Sequence, residues 1–153
     1  MEEARGPLFR SLLGQCHSIV WPTVLHVDLR GLLLDYAGVL DEPGMDAVAR
    51  AVRGAGVRPA VVSNADRLAD PALPDGLDAV VLSGVVGFAK PDAEIYRLAA
   101  RRLGLEPGEC VFVDDLRRNV DGAVAAGMVG VHHSGLESTV MELQALFDLE
   151  LGL

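Results

Sequence analysis

Three acids and one base in this chain stand where apolar runs stop. Gly31-Leu32-Leu33-Leu34 leads into Asp35, Val111-Phe112-Val113 leads into Asp114-Asp115, the run from Pro59 to Val62 ends in Ser63-Asn64, and Lys90-Pro91 precedes a helical stretch. A carboxylate can act as a nucleophile, while a hydroxyl and an ammonium can clamp an anion. Two further acids can hold magnesium, a hard cation that prefers carboxylate oxygens and keeps several waters. Together these residue types form a phosphoryl-transfer set. Apolar strands that finish in carboxylates and lead into glycine-bearing loops build sites at the carboxyl edge of open α/β sheets.

The elements that must position these groups follow from periodicity. From Gly31 onward, short apolar runs alternate with stretches of helical spacing, the signature of βαβ units and a parallel sheet. Strands are predicted at Gly31 to Leu34, Pro59 to Val62, Ala79 to Leu82, Cys110 to Val113 and Val129 to Val131. The first helix places Met45, Val48, Ala49 and Val52 on one face and stops at Gly54 or Gly56. The second uses Asp92 near its N-terminus, buries Ile95, Leu98, Ala99 and Leu103, and ends at Gly104. A third turns Val120, Ala123 and Val124 inward, and a last one, Glu137 to Phe147, buries Val140, Leu143 and Phe147. The predicted fold is α/β, a Rossmann-like, doubly wound parallel sheet of about five strands with helices on both faces. Residues 1–28 read as an N-terminal appendage, with a short amphipathic helix over Pro7 to His17 and an extended Val24 to Val27, and residues 29–153 as the core domain.

Composition narrows the partners. At 153 residues, half of them apolar, the chain can bury one ordinary core. Its net charge of -9 comes from scattered acids with no basic run against them, which disfavours nucleic acid. One Trp, two Tyr and four Phe leave no aromatic stacking surface and imply an aliphatic core. The start Met1-Glu2-Glu3 is unlike a signal peptide, and the low-charge stretch Ala79 to Ala89 is too short to span a bilayer, so a cytoplasmic protein without membrane contact is expected. Cys16 and Cys110 lie in no metal or redox spacing, and Cys110 is expected to pack in a strand.

In this order and spacing the residues resemble the haloacid dehalogenase superfamily. Its four motifs correspond to Leu34-Asp35-Tyr36-Ala37-Gly38-Val39-Leu40, Val62-Ser63-Asn64, Lys90-Pro91, and Val113-Asp114-Asp115 with Asn119, and the resemblance covers about Gly31 to Phe147. It implies a hydrolase, a phosphatase in which Asp35 attacks phosphorus and becomes a transient aspartyl phosphate. Asp35, Ser63 and Lys90 are then catalytic; Ser63, Asn64 and Lys90 bind phosphate. Magnesium is held by Asp35, Asp114, Asp115 and the backbone carbonyl of Ala37.

Two departures qualify this expectation. In most phosphatases of the superfamily the residue two after the nucleophile is Asp, which protonates the leaving group and then activates water, a contribution of about 10²–10⁴-fold. Ala37 can do neither, which points to weak activity or to a substrate with a good leaving group, such as an acyl phosphate; Asp41 and Tyr36 are the nearby stand-ins. Only 27 residues separate Asp35 from Ser63 and 26 separate Ser63 from Lys90, so no cap domain fits. A capless member suits a bulky phosphorylated substrate or a lid borrowed from a partner, and a homodimer is the expected assembly. The alternative is a catalytically inactive phosphate-binding or protein-interaction domain on the same scaffold. His132-His133 ends the fifth strand without a third ligand in sequence and is assigned to the rim of the site. Arg117 and Arg118 read as solvated loop charges.

Overall fold

A computed structural model describes residues 18–23, 28–68 and 76–153 of the chain. Cys16, the helix expected over Pro7 to His17 and the extended run from Val24 to Val27 lie outside the described residues. The strands are β1 (Ile19–Val20), β2 (Gly31–Leu34), β3 (Arg58–Ser63), β4 (Ala79–Leu82), β5 (Cys110–Asp114) and β6 (Val129–His132). The helices are α1 (Met45–Gly54), α2 (Ser83–Val86), α3 (Ala93–Arg102), α4 (Arg117–Ala125) and α5 (Leu136–Phe147). The strand order is β1-β6-β5-β2-β3-β4. Five strands are parallel, and β1 adds a sixth, antiparallel strand at the edge, Ile19 opposite Val131.

Side chains on successive strand residues point to opposite faces, so each run of consecutive apolar residues supplies two cores. Leu32, Leu34, Val61, Val111, Val113, Val129 and Val131 bury themselves with Met45, Val48, Ala49 and Val52 of α1 and Leu143, Leu146 and Phe147 of α5. Leu33, Ala60, Val62, Val81, Cys110 and Phe112 pack on the other face against Ile95, Tyr96, Ala99 and Ala100 of α3 and Ala123 of α4. Each fully buried side chain of this size contributes about 1.5–3 kcal/mol. The α3 stripe is turned from the expected one: Leu98 is half-buried, and Tyr96 goes in instead. Tyr96 stacks edge-on against Phe112, ring centroids 5.1 Å apart, and its hydroxyl donates to the Asn119 carbonyl at 2.6 Å. A tyrosine is buried at little cost where its hydroxyl finds a partner.

Register sets up the site. Leu34 pairs with Val61 on one side and with Val113 on the other, so Asp35 and Asp114 follow side by side in the middle of the sheet, with Ser63 closing the neighbouring strand. The glycine-bearing stretch after β4 is one helical turn, α2. Among the described residues no further domain stands between Asp35 and Lys90, and no helix is long and apolar enough to cross a membrane.

Candidate active site

Asp35 leaves β2 and is held at once on both sides. Its backbone N–H donates to the Val113 carbonyl at 3.0 Å, and its Oδ1 accepts from Tyr36 N at 2.9 Å and from Lys90 Nζ at 2.8 Å. Lys90 Nζ donates further to Asp114 Oδ2 at 2.9 Å and to the Val62 carbonyl at 2.8 Å. Three acceptors match the three protons of an ammonium, and the Lys90 side chain is only 1% exposed. The cation is a fixed, fully satisfied charge between two acids.

The rest of the protein fixes Lys90 from behind. Asn64 uses both atoms of its amide on the Lys90 backbone, accepting from its N–H at 2.8 Å and donating to its carbonyl at 2.9 Å. The Lys90-Pro91 peptide is cis. Pro91 lies so close to α4 that a Cβ on Gly122 would fall 2.6 Å from Pro91 Cβ and 2.7 Å from its carbonyl oxygen, leaving room only for glycine. Ser63 is buried at the end of β3, and its hydroxyl makes no hydrogen bond among the described residues.

Asp114 is wholly buried. Besides Lys90 it accepts from Leu116 N at 2.9 Å and from Asn119 Nδ2 at 3.1 Å. Asn119 thus supports the acid pair, and its own Oδ1 is buried without a hydrogen-bond partner among the described residues. Asp115 is exposed and rests against the loop after Asp35: a Cβ on Gly38 would lie 2.5 Å from Asp115 Oδ2. Gly38 also has φ +84, a conformation that side-chain-bearing residues seldom adopt. That loop is a single wide turn, Tyr36 to Leu40, closed by Leu40 N to the Asp35 carbonyl and Asp41 N to the Tyr36 carbonyl, both 3.2 Å. Ala37 is exposed on it.

Carboxylate oxygens of Asp35, Asp114 and Asp115 come within 4.8 Å of one another. Burial pushes the Asp35 carboxyl up to about 6 from 3.8, against the pull of Lys90 and with help from Asp114. Burial likewise raises Asp115, and the hydrogen bond and charge of Asp114 add to it. Three acids with one base leave an excess of negative charge that resists ionisation, and a divalent cation relieves it. An all-oxygen donor set suits magnesium or another hard cation, so these residues fit one.

Both histidines contact the acid pair, which spacing along the chain did not reveal. His132 sits opposite Asp114 in register, and its Nε2–H donates to the Asp115 carbonyl at 2.8 Å. The backbone N–H of His133 donates to the Asp114 carbonyl at 2.9 Å. The His133 ring bridges Thr139 Oγ1, at 2.7 Å, and Glu42, whose other oxygen accepts from Leu136 N at 3.0 Å. Glu42 thereby ties the end of the loop after Asp35 to the start of α5. The guanidinium of Arg117 pairs with Asp121 at 3.0 Å, and Arg118 is exposed. A separate concavity of about 490 Å³, lined by Pro22, Thr23, Asp121 and the end of α4, gathers no cluster of titratable groups among the described residues.

Comparison with known proteins agrees with this geometry. The sequence profile of haloacid dehalogenase-like hydrolases matches residues 8–127. The chain is 35% identical over 117 residues to Acyl-CoA dehydrogenase family member 10 of Mus musculus, covering 72% of this chain and 11% of that protein. It is 44% identical over 57 residues to a phosphatase of Mycobacterium tuberculosis, covering 37% of this chain and 26% of that one. The chain therefore spans well under half the length of either relative. An uncharacterized protein of Corynebacterium glutamicum, whose crystal structure is known, superposes with a TM-score of 0.74 at 36% identity, over 80% of this chain and 97% of that one. With the profile matching most of its length, the chain belongs to the haloacid dehalogenase-like hydrolase family.

Proposed function

We infer that the chain is a magnesium-dependent phosphatase working through an aspartyl phosphate on Asp35. The observation that carries this reading is the Lys90 ammonium seated between Asp35 and Asp114, 2.8 and 2.9 Å away, with Asp115 alongside. Asp35 presents Oδ2 to phosphorus while Tyr36 N and Lys90 hold Oδ1. Lys90, its protons already committed, acts as a stationary positive charge that offsets the anionic substrate. The free hydroxyl of Ser63 donates to a transferring oxygen. Asn64 positions Lys90, and its side chain reaches substrate only if it lets go of that backbone. Asp35, Asp115, the Ala37 carbonyl and, from behind, Asp114 are the groups to hold magnesium, which supplies charge neutralisation of the phosphoryl group when bound.

The open edge suits a bulky phosphorylated molecule, or an acyl phosphate whose leaving group needs little protonation. Magnesium-dependent release of phosphate from acyl and aryl phosphates, lost in Asp35→Asn, tests the reading; silence across both classes refutes it. One observation favours a second reading: Ala37 leaves the acid-base position without a side chain that can move a proton. If Ala37→Asp creates strong turnover where the native chain has none, the chain is a phosphate-binding or protein-interaction scaffold that has lost the reaction.

A further inference from the structure

The phosphatase reading leaves proton transfer unassigned, and the wide turn after Asp35 supplies a carboxylate for it. Five residues separate Asp35 from Asp41, yet the turn folds residue 41 back over residues 36–38. Asp41 N donates to the Tyr36 carbonyl at 3.2 Å, and Asp41 Oδ1 accepts from Gly38 N at 2.8 Å. Gly38 is the immediate neighbour of Ala37 and the residue against which the Asp115 carboxylate rests. The Asp41 carboxylate is therefore hung on the peptide next to Ala37, on the segment shared with the acid cluster. Asp41 is exposed, and its Oδ2 takes no hydrogen bond among the described residues, so one oxygen fixes the group and the other is available. Tyr36 is the other candidate on this turn, but it packs against the aliphatic core of α1 and α5.

Resting on that reading, we propose that Asp41 is the catalytic acid and base of this chain, in place of the carboxylate that Ala37 lacks. In the first step Asp35 Oδ2 bonds to phosphorus as the bond from phosphorus to the leaving oxygen breaks, and the Asp41 carboxyl gives its proton to that oxygen, releasing an alcohol. In the second, water bonds to phosphorus as the bond to Asp35 breaks. The Asp41 carboxylate takes the water's proton, which restores both side chains and releases inorganic phosphate.

The test uses the full chain with magnesium and two esters that differ in leaving group, p-nitrophenyl phosphate and an alkyl phosphate. The parameter kcat/KM reports events up to the first phosphoryl transfer and so isolates the acid role. Asp41→Asn retains an oxygen to accept from Gly38 N and removes the transferable proton. It should lower kcat/KM for the alkyl ester by about 10²-fold, the lower range for such a group, and for the nitrophenyl ester by about 3-fold or less. Loss of the base role should appear as a burst of nitrophenol followed by a slow steady state. Ala37→Asp in the Asp41→Asn background should restore the alkyl-ester rate, a rescue that a merely disturbed turn would not allow. Equal losses on the two esters, or no loss on either, overturn the assignment and leave Asp35 as nucleophile untouched. A native chain silent on both esters overturns the assignment together with the phosphatase reading.

Discussion

Replacing Lys90 by methionine keeps an unbranched chain of nearly the same length and deletes the terminal ammonium. In the native fold that charge lies in a dry position and answers Asp35, Asp114 and the Val62 carbonyl at 2.8–2.9 Å. Deleting one partner of a buried ion pair typically costs about 3–5 kcal/mol, because the remaining charge is left without compensation. Here two acids lose the same partner, so the upper end of that range is expected at neutral pH, a large share of the roughly 5–15 kcal/mol that holds a domain together. The loss must also depend on pH. Burial already raises Asp35 to about 6, and Lys90 opposes that rise; without Lys90 the carboxyl climbs further. A group whose folded pKa exceeds its unfolded value contributes stability that is fully present below the unfolded value, 3.8 here, and lost as pH rises through the folded one. Lys90→Met should therefore come closest to the native protein near pH 4 and fall furthest behind above pH 7. Urea unfolding in EDTA at pH 4.5, 6 and 7.5 measures this. Magnesium at neutral pH should recover part of the loss. A deficit under about 1 kcal/mol at pH 7.5, or one that does not change with pH, would show that Asp35 and Asp114 are not gathered around this ammonium.

Gly122→Val should destabilise by about 1–3 kcal/mol, the range for forced overpacking, since its Cβ would meet Pro91 at 2.6 Å. Because Lys90 precedes that proline, magnesium affinity measured by thermal shift should weaken as well; an unchanged melting temperature would contradict the close approach. Glu42→Gln tests the tie to α5. The hydrogen bond from His133 holds the Glu42 carboxyl below its ordinary value of 4.5, so its contribution is present above that value and disappears as pH falls through the lowered one. Native protein and variant should therefore differ in melting temperature at pH 7 and converge in strong acid, and parallel curves would refute the pair.

The five parallel strands were legible because consecutive apolar residues and terminal glycines mark them locally, whereas their spatial order follows from the observed pairing. Leu34 opposite Val113 then puts Asp35 beside Asp114 by connectivity alone. What could not be read depends on partners distant in sequence. Two residues, Ile19 and Val20, form β1 by pairing with Val131 and Gly130, too short a run to show any period. Asn64 follows a strand end, and no local signal shows that its amide is engaged with Lys90, 26 residues away. His133 meets Glu42 across 91 residues, an encounter that no local pattern encodes. The α3 stripe turned toward Tyr96 because the hydroxyl found the Asn119 carbonyl, a choice made by tertiary context rather than by helical spacing.

The strand that ends at Asp35 and the strand of the acid pair are neighbours in space but not in sequence: β3, β4 and α3 are laid down between them. The cluster of Asp35, Asp114 and Asp115 consequently does not exist in any nascent piece of the polypeptide that stops short of β5. Divalent ions should ignore early fragments and shield the finished molecule from proteases, with protection growing logarithmically as ion concentration passes the dissociation constant.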